Sequence, residues 1–119
     1  MLYTEQIIER WKNPRNFGEV KDFTAEGHDS NVLCGDIIRM QLKIDKNRII
    51  DAKFTGEGCS ISQASADLVA DFVKGKDVDE IKKLNKDDVL KILGIEITPV
   101  RLKCALLSLK VLKLALLNV

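Results

Sequence analysis

Cys34, Cys59 and Cys104, with Asp36 two residues beyond the first thiol, are the residues whose types suit soft-metal ligation and sulfur chemistry in this 119-residue chain. The cysteines lie far apart, unlike the paired Cys-x-x-Cys knuckles of a zinc finger. A shared site therefore depends on the fold, and each cysteine stands where an element is expected to begin: Cys34 before a strand, Cys59 at the head of a helix, Cys104 early in the last helix. In Cys34-Gly35-Asp36 an extended backbone would turn thiol and carboxylate to one face, with Gly35 tolerating a bend or the close approach of a ligand. Cys59 would sit beside unpaired helix N-terminal amides, whose partial positive charge favours the thiolate, and Gly56 and Gly58 would keep its surroundings open. Cys104 shares a helical face with Val100, Leu107, Ser108, Val111 and Ala115, away from Lys110 and Lys113, and so is expected to point inward. Taken singly, Cys104 reads as a small core residue and Asp36 as a turn residue beside glycine. Together the four read as one site.

The elements that must position them follow from periodicity. Thr4, Ile7, Ile8 and Trp11 predict an amphipathic N-terminal helix with Thr4 as N-cap, ended by Asn13-Pro14 and a turn-rich loop through Gly18. Val20 to Ser30 is polar, weakly patterned and expected at the surface, with at most one short strand. Ile38, Met40, Leu42 and Ile44 alternate with polar residues, and after the turn Asp45-Lys46-Asn47-Arg48 so do Ile50, Ala52 and Phe54, predicting a hairpin. Beyond Gly58 the period becomes helical, with Ile61, Ala64, Leu68, Val69, Phe72 and Val73 on one stripe and Gly75 at its end. Two short helices follow, Val78 to Leu84 and Lys86 to Leu93, each opened by Asp or Asn. The last helix opens with Thr98 as N-cap and Pro99 at its first position and runs toward Val119.

Composition narrows the function. With 45% hydrophobic and 31% charged residues, the chain has the arithmetic of a single domain over residues 1–119, able to build a core without metal staples. The formal net charge of +1 supplies no basic field for a phosphate backbone, which argues against nucleic acid. The most apolar stretch, from Val100, is interrupted by Arg101, Lys103, Lys110 and Lys113, which argues against a membrane span. Three cysteines cannot all pair, and the N-terminus lacks a secretion-signal pattern, so a reducing cytoplasm is expected.

Four pieces in order carry a family resemblance: Asn13-Pro14-Arg15-Asn16-Phe17-Gly18, Cys34-Gly35-Asp36, Gly56-Glu57-Gly58-Cys59-Ser60-Ile61-Ser62 and Pro99-Val100-Arg101-Leu102-Lys103-Cys104. Over nearly its whole length the chain resembles the U-type iron-sulfur cluster assembly scaffolds, the family of IscU, SufU and the N-terminal domain of NifU. The resemblance implies an α+β fold, with a small, mostly antiparallel sheet of about three strands covered on one side by helices and a metal site at one end. It implies Cys34, Asp36, Cys59 and Cys104 as ligands of a transient [2Fe-2S] cluster, of iron or, alternatively, of zinc, and Cys104 as acceptor of persulfide sulfur from a cysteine desulfurase. Three thiolates and a hard carboxylate suit a site that holds a cluster yet releases it, since stable clusters ordinarily use four thiolates.

The chain departs from the IscU pattern at Lys103, where histidine usually precedes the third cysteine. Lys103 cannot ligate while charged but can support the neighbouring thiolate, and a basic residue there resembles SufU-type proteins, although the insertion of those proteins between the second and third cysteines is missing here. The only histidine, His28, reads as a solvated residue of a polar turn, Gly27 to Ser30. Ile97-Thr98-Pro99-Val100-Arg101 resembles the Leu-Pro-Pro-Val-Lys segment by which an Hsp70-type chaperone recognises IscU, keeping the second proline and the general shape but with Thr98 for a proline and Arg101 for a lysine. The implied role is a scaffold and carrier more than an enzyme, with apo iron-sulfur proteins as acceptors. The alternative is a zinc-dependent sulfurtransferase of the SufU type, ahead of a structural zinc module or a hydrolase using His28. The leucine-rich last helix suits burial in a monomer or weak homo-oligomer.

Overall fold

The computed structural model describes residues 2–31, 35–94 and 99–117. In order these form α1 (Leu2–Lys12), β1 (Ala25–Asn31), β2 (Asp36–Asp45), β3 (Arg48–Glu57), α2 (Ser60–Val73), α3 (Val78–Lys82), α4 (Lys86–Leu93) and α5 (Pro99–Ala115). The predicted α+β architecture is present, and among the described residues no helix is long and apolar enough to cross a membrane.

The sheet is antiparallel throughout in the order β1-β2-β3. The β2–β3 turn places Lys46 and Asn47 at φ 51° and 64°, the left-handed pair that matches hairpin twist. Pairing runs from Asp45 opposite Arg48 and Ile44 opposite Ile49 to Lys43 opposite Asp51, so Ile50 is the extra residue of a β-bulge. The bulge turns Ile49 into the core and leaves Ile50 half exposed, contrary to the simple alternation expected from Ile50, Ala52 and Phe54.

Ile38, Met40, Leu42, Ala52 and Phe54 line the inner face, against which α2 and α5 pack. Burial of this set is the main source of stability, with truncation of Leu42 or Phe54 to alanine expected to cost about 3–5 kcal/mol. Helix α5 lies directly on β1 at Gly27, where a Cβ would stand 2.4 Å from the Val111 carbonyl oxygen. That contact demands glycine, and it places Gly27 to Ser30 in a strand rather than a turn. His28 is exposed there, opposite Arg39.

The segment before β1 is less superficial than its polarity suggests. Val20 is buried, and its N–H donates to Oε1 of the buried Gln41 at 2.9 Å, while Gln41 Nε2 donates to Glu26. Asn16 and Gly18 exchange backbone hydrogen bonds with Phe54, closing the outer edge of β3, and the Phe17 ring meets Phe54 edge to face at 5.4 Å.

Helix α1 begins at Leu2, so Thr4 lies inside it rather than capping it. Among the described side chains of its apolar stripe Ile7 is buried, with Ile8 and Trp11 outward. A cluster of charges docks α1 on α2 instead: Arg10 Nη1 lies 2.7 Å from both Asp67 and Asp71. The short helix at Val78 ends at Lys82, two residues early, and α4 opens with a capping box between Asn85 and Asp88. Helix α5 stops at Ala115, short of the predicted run toward Val119. The predicted cap Thr98 lies outside the described residues.

Candidate metal centre

Strand β2 opens with Asp36, paired with Asn31 at the end of β1. Gly35, just before it, has φ +72°, so the backbone approaching Asp36 is left-handed rather than extended. The Asp36 side chain is 1% exposed and reaches across to the strand-to-helix junction. There its Oδ1 accepts the Cys59 N–H at 2.9 Å, while Oδ2 stands 3.8 Å from Cys59 Sγ.

Gly58 makes this approach possible. Its φ is +150°, and a Cβ on it would lie 2.2 Å from Asp36 Oδ1, so any other residue would evict the carboxylate. The glycine therefore serves to let β3 close on Asp36 more than to keep the junction open. Cys59 is the N-cap of α2, half-buried, with no side-chain capping bond and no acidic residue in the first turn. Its sulfur thus remains in the field of the helix amides. Ser62, fully buried one turn on, sets its hydroxyl 3.6 Å from Cys59 Sγ and donates to the Cys59 carbonyl at 3.2 Å.

Cys104 comes from α5, 1% exposed and on the inward face with Leu107, Ser108, Val111 and Ala115, as the helical periodicity predicts. Helices α2 and α5 are fastened by Ser65, whose Oγ donates to the Ala105 carbonyl at 2.7 Å and shares a 2.8 Å hydrogen bond with Ser108. The outcome is a cluster of three: the ligand atoms of Asp36, Cys59 and Cys104 all lie within 4.8 Å of one another.

The donor set fits a metal. Tetrahedral bonds of ordinary zinc length would separate a sulfur and an oxygen ligand by about 3.6 Å, close to the 3.8 Å between Cys59 Sγ and Asp36 Oδ2. Two soft sulfurs and one hard oxygen suit zinc or iron rather than magnesium or calcium.

Cys34 lies outside the described residues, although Asn31 and Gly35 on either side of that segment stand at the Asp36 end of the sheet. Lys103 is exposed and lines a groove on the outer side of α5 with Leu106 and Lys110. His28 is not part of the cluster. Ser62 closes the motif that carries the resemblance, but its contact with Cys59 was not readable there, because a serine in a helix carries no signal until its neighbours are known.

A second polar cluster was also missed. Asp67, fully buried, accepts from Arg10 Nη1, from the N–H groups of Arg15 and Asn16, and from Asn16 Nδ2. Asn16 Nδ2 also donates to Asp71, and Lys74 donates to Asn16 Oδ1. Burial opposes the charge on Asp71, but the bonds from Asn16 and Arg10 outweigh it and hold the carboxyl below its ordinary range. Burial likewise opposes the Arg10 charge, and Asp67 and Asp71 more than offset it. The signal available was Asp67 itself, a charge on the apolar stripe of α2, which demands a partner.

Comparison with known proteins agrees with this arrangement. Residues 2–118 match the family described as NifU-like N terminal domain. The iron-sulfur cluster assembly enzyme IscU of Drosophila melanogaster is 41% identical over 119 residues, covering 97% of this chain and 76% of the fly protein. The zinc-dependent sulfurtransferase SufU of Bacillus subtilis is 37% identical, covering 94% of this chain and 87% of its own. The scaffold protein IscU of Escherichia coli K12 is 34% identical, covering 98% and 92%. Among solved structures, FiSufU of Fervidobacterium islandicum AW-1, described as a scaffold for the SUF system, superposes with a TM-score of 0.81 at 28% identity over 98% of this chain and 97% of that one. A match across almost the whole chain, joined to a fold that brings its aspartate and two of its cysteines together, makes this protein a member of the NifU-like N-terminal domain family, to which IscU and SufU proteins belong.

Proposed function

We infer that the chain is an iron-sulfur cluster assembly scaffold, in which Cys34, Asp36, Cys59 and Cys104 hold iron and sulfide as a labile [2Fe-2S] cargo for transfer to acceptor proteins. The observation that carries this reading is the convergence of Asp36, Cys59 and Cys104 within 4.8 Å at one end of the sheet. It is supported by the relatives named as IscU scaffolds. Cys34 enters as the third thiolate from its place in the Cys34-Gly35-Asp36 motif.

In this reading Cys104 takes sulfur from a cysteine desulfurase. The Cys104 thiolate attacks the outer sulfur of the donor's persulfide, a new S–S bond forms at Cys104, and the donor's S–S bond breaks to release its cysteine as thiolate. Lys103, one residue away and exposed, adds positive charge near the approaching donor and supports thiolate formation. Because Cys104 is almost wholly buried, its reaction depends on the donor opening the site. Asp36 supplies the hard ligand that keeps the cluster exchangeable. Replacing Asp36 with alanine is therefore expected to slow cluster release to an apo-ferredoxin several-fold. An unchanged transfer rate would remove Asp36 from this role.

The second reading is a zinc-dependent sulfurtransferase. It is favoured by one feature of the sequence, Lys103 in the position of the IscU histidine, together with the 37% identity to the Bacillus SufU. Mass spectrometry after incubation with a desulfurase and cysteine separates the two. Both readings expect added sulfur on Cys104, but only the second requires stoichiometric zinc for that transfer, and a zinc-free protein that accepts sulfur at full rate excludes it.

A further inference from the structure

Helix α5 has a second face that the metal centre does not use. Besides its inward residues it carries Leu106 and Leu109, only partly buried, where a helix covering a sheet would ordinarily be polar. Its charged residues are all basic, and no aspartate or glutamate occurs between Pro99 and Ala115.

This face walls a groove of about 660 Å³ between α5 and the end of β1. Leu106, Leu107 and Leu109 form its apolar lining, and Lys103, Lys110 and Lys113 run along it. No acidic residue contributes to the lining among the described residues. From Lys103 to Lys113 the groove follows about 15 Å of helix, nearly three turns.

Two of the cations are held in place. Lys110 Nζ lies 2.6 Å from Asp29, and Lys113 Nζ donates to the Lys82 carbonyl at 2.6 Å. An ammonium has three donors, so each retains capacity for a further carboxylate while its position is already fixed, which reduces the ordering cost of binding.

We propose that this groove docks an acidic amphipathic helix of a partner protein, with the partner's apolar residues against Leu106 and Leu109 and its carboxylates on Lys103, Lys110 and Lys113. An apolar lining beside a cationic row is the complement of such a helix, and the groove has the length over which i, i+3 and i+7 anchors repeat. A second copy docking α5 on α5 would set lysines against lysines, so self-association through this face is disfavoured. The Lys103 end adjoins the turn that carries Cys104, so an occupant lies alongside the metal centre. The inference does not depend on what that centre binds.

The test uses the intact chain and a fluorescein-labelled helical peptide of about four turns, built from leucine at i, i+3, i+4 and i+7 spacing with glutamate elsewhere. Saturable binding with a micromolar dissociation constant is expected, weakened at least tenfold by Lys110→Glu and by raised salt. Methyl chemical-shift changes should be confined to Leu106, Leu107 and Leu109. Leu109→Ala, checked for an unchanged circular dichroism spectrum, should weaken binding without altering iron or zinc content. Equal affinity for a peptide with lysine in place of glutamate overturns the proposal. So does insensitivity to Lys110→Glu, a shift pattern elsewhere, or concentration-dependent shifts of the same methyls without peptide, which would assign the groove to a second copy.

Discussion

Asp36 and Asp67 are both buried carboxylates, yet their surroundings differ in kind. Asp67 receives four donors from its own chain, one from Arg10, one from Arg15 and two from Asn16, which fills the acceptor capacity of a carboxylate. Among the described residues Asp36 receives the Cys59 N–H on one oxygen, and its other oxygen faces a thiol at 3.8 Å. A saturated buried charge is a lock between α1, the loop after it and α2. A buried carboxylate set beside two sulfurs is suited to ligation instead. Burial alone does not separate the two; the neighbouring side chains do, a guanidinium and an amide at Asp67 and two sulfurs at Asp36.

The contrast breaks most sharply at the sulfurs. Cys59→Ser and Cys104→Ser should each lower bound iron and sulfide at least about tenfold with little change in melting temperature, whereas Asp67→Ala should leave the metal stoichiometry of the folded fraction intact. Asp67→Ala should instead cost about 3–5 kcal/mol in urea unfolding, because it strands Arg10 and two backbone N–H groups. A loss below about 1 kcal/mol would deny the lock. Gly58→Ala tests the junction between the two roles. The new methyl and the positive φ should cost about 1–3 kcal/mol, and displacement of Asp36 should weaken metal binding as well, measured by chelator competition.

The smallest effect concerns acid. Asp71 has its carboxyl held below its ordinary value of 3.8, so its contribution is complete above that pH and is lost as pH falls through the lowered value. Asp71→Asn should therefore flatten the acid limb of the stability curve below about pH 4 while leaving metal binding at neutral pH untouched. An acid limb identical to the parent would assign the acid sensitivity elsewhere.

Elements with strict periodicity were legible from the residues alone. The β2–β3 hairpin, α2, α4 and the start of α5 lie where the patterns put them, and Cys59 and Cys104 stand at the element ends expected of them. What escaped reading depends on contacts between distant segments. The bulge that exposes Ile50 arises from register against β2, the strand at Gly27 from packing under α5, and the burial of Val20 from a bond to Gln41. Asn16 belongs to a motif that resemblance had already singled out, but its work, gathering Asp67, Asp71 and Lys74, shows only when α1 and α2 are side by side. Asp36 was legible as a candidate ligand, and the structure brings it beside Cys59 and Cys104, whereas the reason for Gly58 beside it required the 2.2 Å approach.

The most direct test of this distinction is anaerobic incubation with ferrous iron, cysteine and a cysteine desulfurase, followed by visible absorption and determination of iron and acid-labile sulfide. The account predicts charge-transfer bands with about two irons and two sulfides per chain, abolished by Cys104→Ser and retained in Asp71→Asn. A cluster that survives both Cys59→Ser and Cys104→Ser, or a protein that stays colourless throughout, would contradict it.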